Sequence, residues 1–102
     1  MAQINDTLWE MRDLYRQEQD PDRRQALQQQ YDAALDATLA LADKSLGANT
    51  EKYQEAVDGL DGKIQALKKV KRELGDIAAA IRDVAAAVDA FVKVAKFIAM
   101  PG

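Results

Sequence analysis

Two residue types that carry much of protein chemistry are missing from this 102-residue chain, which contains no cysteine and no histidine. Their absence excludes disulfides, thiolate zinc sites, cysteine nucleophiles and histidine acid–base pairs. The side chains that could still take part in catalysis are carboxylates, lysines and hydroxyls. The sequence contains no phosphate-binding loop, no nucleophile elbow and no EF-hand motif. We therefore predict that the protein is not an enzyme and has no cofactor and no metal site.

Proline and glycine are rare, with two and five copies, and aromatic residues make up 6% of the chain. Runs of β-branched or aromatic residues that could form strands are almost absent. The net charge is −3 and 48% of the residues are hydrophobic, which is typical of one small globular domain. We predict a single all-α domain over residues 1–102.

Targeting segments are not evident. The first residues have neither a basic start nor a continuous apolar stretch, which argues against a signal peptide and favours a cytoplasmic location, with non-classical export left open. Residues 77–100 are the most apolar stretch, but they include Arg82, Asp83, Asp89 and Lys93. These charges argue against a transmembrane segment.

Apolar residues recurring every three or four positions predict three helices, over about residues 3–18, 21–46 and 50–99. Asp20 and Pro21 mark a break after the first, because aspartate caps helix starts and proline suits the first turn. A turn at 47–49, with Gly47 as a C-terminal cap, separates the second helix from the third. The stripe of the first helix consists of Ile4, Leu8, Met11 and Tyr15.

The third helix carries a long apolar seam with spacings of three and four residues. Its phase continues through Gly59, Gly62 and Gly75, so we expect one continuous helix of roughly 75 Å. The seam consists of Tyr53, Val57, Leu60, Ile64, Leu67, Val70, Leu74, Ile77, Ile81, Val84, Val88, Phe91, Ala95 and Ile98.

Two architectures fit these segments. One is a long antiparallel helical hairpin with coiled-coil-like packing about the turn at 47–49. The other is a compact bundle of three helices, or of four if the third helix breaks at residues 59–62.

The carboxyl-terminal part of the seam is flanked by alanines, which let helices approach closely and widen the apolar surface. We expect a second protein or another copy of the chain to pack there, although the chain's own first helix could cover it instead. The predicted partner-binding residues of the seam are Leu74, Ile77, Ile81, Val84, Val88, Phe91, Ala95 and Ile98.

Trp9 lies on the side of the first helix opposite its apolar stripe, next to Arg12 and Arg16. Tryptophan and arginine are enriched at interface hot spots, so these three residues are also predicted to bind a partner. Phe97 likewise lies outside the apolar seam of the third helix. In the hairpin register both aromatic residues lie near the chain termini and could form one surface, or they could be buried in a bundle.

Lys68, Lys69, Lys71 and Arg72 form the densest basic cluster. Such a cluster could contact an anion or an acidic partner. No aromatic residue lies among them to stack on bases, so nucleic acid is not an expected partner, and a solvated helix face is the simpler interpretation.

These features favour a non-catalytic protein–protein interaction or assembly module that self-associates or pairs with another helical protein. Two alternatives stay open. The chain could lay the face of residues 77–99 on a membrane surface, or it could be a small inhibitor or immunity-type protein that blocks a macromolecular partner through Trp9.

Overall fold

Four α-helices make up most of the structure, a computed structural model that describes residues 3–41 and 50–99. They are α1 (Ile4–Gln17), α2 (Pro21–Ala40), α3 (Thr50–Arg72) and α4 (Ile77–Ala99). The residues within these two ranges form no strand. The all-α prediction is confirmed, in its form as a compact four-helix bundle.

The helices surround the core in the order α1, α2, α4, α3, because α1 and α4 each pack against both α2 and α3. α1 and α3 run parallel, since Thr7 near the start of α1 meets Asp61 in the middle of α3, and Glu18 at the end of α1 meets Lys71 near the end of α3. α1 and α2 are antiparallel, as are α3 and α4. The bundle measures 45 × 23 × 19 Å.

The break between α1 and α2 follows the predicted signals. Asp20 is the N-cap of α2, and its side chain accepts hydrogen bonds from the backbone N–H groups of Asp22 and Arg23 at 2.9 and 3.2 Å. Pro21 occupies the first helical position. These contacts satisfy two N–H groups that a helix start would otherwise leave without a partner.

The prediction of one helix over 50–99 is wrong, because the chain turns between Arg72 and Ile77. Leu74 adopts a left-handed conformation with φ of 56°, and Gly75 donates its N–H to the Val70 carbonyl at 2.9 Å. This is the hydrogen bond that closes a Schellman cap. The turn gives two helices side by side in place of one long rod.

Asp76 starts α4, since its side chain accepts a hydrogen bond from the Ala79 N–H at 3.0 Å. The alternative break at residues 59–62 is also wrong, because that segment lies inside α3. No other helix lies within 4 Å of the position that a Cβ would occupy at Gly59 or Gly62, so both glycines lie on an open side of α3.

α2 ends at Ala40, with Leu41 as its C-cap, whereas the prediction continued it to about residue 46. Residues 42–46 and the predicted turn at 47–49, including the Gly47 cap, lie outside the described residues.

The core is built from the predicted seam together with one side of α1 and of α2. Most of the seam is buried within this chain, and its two halves face each other across the turn at residues 73–76. The buried core residues are Leu8, Met11, Leu14, Leu27, Ala34, Ala37, Leu41, Val57, Leu60, Ile64, Leu67, Ala80, Ile81, Val84, Val88, Phe91 and Ala95.

Candidate interaction surface

The part of the seam predicted to bind a partner lies mostly inside this chain's own core. Val84 and Phe91 are completely buried, and Ile81, Val88 and Ala95 nearly so. α2 and α3 provide most of this cover, in place of the first helix or a second protein. These side chains therefore offer no accessible surface in the folded bundle, and the prediction that they face a partner is corrected.

The ends of that seam have other environments. Ile77 and Ile98 are partly buried against the core. Leu74 lies in the turn between α3 and α4 and is 88% exposed, because the turn directs it away from the helices that would otherwise cover it.

Trp9 is the main feature of the exposed surface, with 60% of the residue accessible. The guanidinium carbon of Arg12 lies 5.2 Å from the centre of its ring, a distance at which a cation is attracted to an aromatic face. Arg12 is half-buried, and Arg16, one turn further along α1, is exposed. The structure thus brings the three predicted residues together on one side of α1.

α2 continues this surface on the other side of a narrow groove. Trp9 and Arg12 line a cavity of about 190 Å³ together with Tyr31 and Leu35 of α2. Leu39 follows Leu35 one turn along the same side of α2, and it is 63% exposed. An aromatic ring and an exposed leucine therefore lie on one continuous surface.

We name this surface the α1–α2 face. Its residues recur every three or four positions, so those of each helix lie on one side of that helix. Because α1 and α2 pack side by side, the two sets form one surface. They are Asn5, Trp9, Arg12, Arg16, Gln28, Asp32, Leu35 and Leu39.

Phe97 does not belong to the α1–α2 face. It is 63% exposed, and it lines a cavity of about 230 Å³ with Lys52 of α3 and Ile98 of α4. Trp9 lies beside α2, so the two aromatic residues occupy opposite sides of the bundle. The expectation that they form one surface is wrong, because the hairpin register that placed them together is not the one adopted.

The four residues of the basic cluster lie on different sides of α3. Lys68 and Lys71 point toward α1, where Lys68 Nζ lies 3.0 Å from Glu10 Oε1 and Lys71 Nζ lies 3.6 Å from Glu18 Oε2. Lys69 and Arg72 are exposed. Two of the four predicted anion contacts are therefore made within the chain, which leaves a less basic surface than the sequence indicates.

Glu18 was not singled out from the sequence, although it is only 8% exposed. Its Oε1 accepts a hydrogen bond from the Asp20 N–H at 3.2 Å, while Oε2 faces Lys71. The carboxylate thus fixes the connection between α1 and α2 against α3. A glutamate in a polar stretch gives no sequence signal of such burial.

Metal-binding clusters and membrane-spanning helices are both absent from the residues that the structure describes. No group of three or more acidic side chains there comes together in a way that could hold a metal ion. Among the same residues, no helix is long and apolar enough to cross a bilayer.

Comparisons with known proteins give no family to set beside this geometry. No protein-family model, no curated protein and no solved structure matches the chain.

Proposed function

We propose that this protein is a non-catalytic helical interaction module, and that the α1–α2 face is its binding surface. The observation that carries the proposal is the exposure of Trp9 and Leu39 on one side of the bundle, at 60% and 63%. The α4 seam is already filled by α2 and α3, so binding through the α1–α2 face requires no opening of the core.

The chemistry of the face supports this role. Tryptophan offers a large contact area with few rotatable bonds, and the 60% of Trp9 that is accessible in the bundle can be buried by a partner. Arg12 holds the ring from one side, so the ring is partly ordered before binding. Less conformational entropy is then lost when a partner covers it.

A membrane-surface role has weaker support. It relied on the apolar side of residues 77–99, and the largest side chains of that side, such as Phe91 and Val84, are completely buried. Presenting them to lipid would require the four helices to separate, at the cost of most of the core.

Affinity capture with matched variants tests the proposal. Tagged wild-type chain, Trp9→Ala and Phe97→Ala would each be exposed to extract of the native cell, and bound proteins identified by mass spectrometry. Trp9 and Phe97 are exposed to nearly the same extent, so Phe97→Ala controls for the loss of an exposed aromatic residue.

We expect at least one protein, either the untagged chain or another helical protein, to be captured by wild type and Phe97→Ala and reduced about tenfold or more with Trp9→Ala. Circular dichroism should show equal helicity for the three chains. Equal capture by Trp9→Ala would contradict the proposed role of the face.

A further inference from the structure

We infer that the occupant of the α1–α2 face is a second copy of this chain, in a two-fold dimer that places α1 of each copy over α2 of the other. This inference rests on the proposed function and specifies its partner. The arrangement follows from how charge and apolar side chains are distributed between the two helices.

Charges of opposite sign are separated across the face. α1 contributes Arg12 and Arg16, whereas α2 contributes Asp32, with Asp36 at its outer edge. Within residues 3–41 and 50–99, none of these four takes part in an ion pair. Each helix edge thus presents a charge that is not neutralised inside the bundle.

Contacts between α1 and α2 show which of these residues lie at the same height along the bundle axis. The rings of Tyr15 and Tyr31 lie 5.6 Å apart, and Trp9 shares its cavity with Leu35. Because the helices are antiparallel, Arg12 lies between these two contacts and is level with Asp32.

A two-fold axis parallel to the bundle brings each helix of the face over the other helix of the partner at the same level. Trp9 of one copy then meets Leu35 and Leu39 of the second copy, while Arg12 meets Asp32. Both contacts occur twice by symmetry, so the apolar and the charged parts of the face are each complementary to themselves.

The other face-to-face arrangement places α1 over α1 and brings the arginines of the two copies together. Like charges brought together across an interface are unfavourable. The separation of charge between the helices therefore selects the α1-over-α2 arrangement.

The size of the face sets the expected affinity. α1 has 14 residues and is about 21 Å long, and two packed helices are about 20 Å wide. The resulting footprint of roughly 400 Å² is about half of what each partner contributes to a standard stable interface, so we expect a dimer that dissociates in the micromolar range.

Analytical ultracentrifugation from about 1 to 300 μM would test the dimer, with charge reversal as the decisive comparison. The variants are Arg12→Glu/Arg16→Glu, which makes both helix edges acidic, and Asp32→Lys/Asp36→Lys, which makes both basic. Phe97→Ala, on the opposite side of the bundle, is the matched control.

We expect wild type and Phe97→Ala to dimerise alike, and each charge-reversed variant alone to dimerise at least tenfold more weakly. An equimolar mixture of the two charge-reversed variants should dimerise again, because α1 of each is then opposite in charge to α2 of the other. Dimerisation of the wild type without recovery in the mixture would overturn the arrangement.

A wild-type chain that stays monomeric over the whole range would overturn the self-pairing inference. That result would leave the proposed function standing if Trp9→Ala still lost capture of a different protein from extract. The two failures are therefore distinguishable.

Discussion

Leu74 occupies the left-handed position at the end of α3 that glycine usually takes, and Gly75 is the residue after it. Leu74 holds the left-handed conformation, with φ of 56°, and Gly75 follows it and donates its N–H to Val70. Glycine usually occupies the left-handed position of this cap, because a Cβ there costs about 1–2 kcal/mol. The 88% exposure of Leu74 means that burial offsets little of this cost.

Replacing Leu74 with glycine should therefore stabilise the protein. We expect Leu74→Gly to raise the free energy of unfolding by about 0.5–1 kcal/mol, the relief of strain being partly offset by the greater freedom of glycine in the unfolded chain. Urea-induced unfolding followed by circular dichroism would measure it. Leu74→Ala, which keeps the Cβ, should stay within about 0.5 kcal/mol of wild type, and a less stable Leu74→Gly would contradict the explanation.

The same turn explains where the sequence-based prediction failed. Periodicity reports which positions are apolar, and the seam keeps its phase from Val70 through Leu74 to Ile77 even though the backbone reverses there. The reversal depends on Gly75 after a basic helix end and on Asp76 as a cap. Each of these signals is weak alone, because glycine and aspartate also occur on exposed helix faces, as Gly59 and Asp58 do in α3.

The candidate surface was predictable in part for a related reason. The position of Trp9 opposite its apolar stripe follows from helix geometry alone. Leu39 could not be assigned to the same surface, because the pairing of α1 with α2 is a tertiary contact. Likewise, the sequence shows that α4 has an apolar side but not that α2 and α3 cover it.

Asp76 should stabilise the start of α4. Asp76→Ala removes the acceptor for the Ala79 N–H, and we expect a loss of about 1 kcal/mol in the free energy of unfolding. Asp76→Asn keeps an oxygen in the same place and should lose much less. Thermal and urea unfolding would separate the two variants, and equal losses would indicate that the carboxylate acts through its charge alone.

Glu18 and Lys71 should be coupled in stability. Because Glu18 is buried and also accepts a hydrogen bond from Asp20, we expect Glu18→Ala to cost about 1–3 kcal/mol. A double-mutant cycle with Lys71→Met should give a coupling energy near 1 kcal/mol. The Glu10–Lys68 pair is about one-third exposed on both sides and should give a smaller coupling. A larger coupling energy for Glu10 and Lys68 than for Glu18 and Lys71 would show that burial does not determine which pair is coupled more strongly.

Tyr53 should make stability sensitive to alkaline pH. Burial raises the pKa of its phenol above the ordinary 10.0, because the charged phenolate loses solvation. Above pH 10 the unfolded chain releases this proton more readily than the folded chain, so the stability linked to Tyr53 is complete below pH 10 and is lost as pH rises through the folded pKa. Tyr53→Phe should weaken this pH dependence. An unchanged alkaline decline in that variant would assign it to other groups.

Phe91 and Phe97 provide a direct test of which side of α4 belongs to the core. Phe91 is completely buried and its ring lies 5.9 Å from that of Tyr53, whereas Phe97 is largely exposed. We expect Phe91→Ala to lower the free energy of unfolding by about 3–5 kcal/mol, and Phe97→Ala to change it by about 0.5 kcal/mol or less. The comparison holds the residue type and the helix constant, so the difference reports burial. A small effect of Phe91→Ala would mean that this side of α4 is not part of the core.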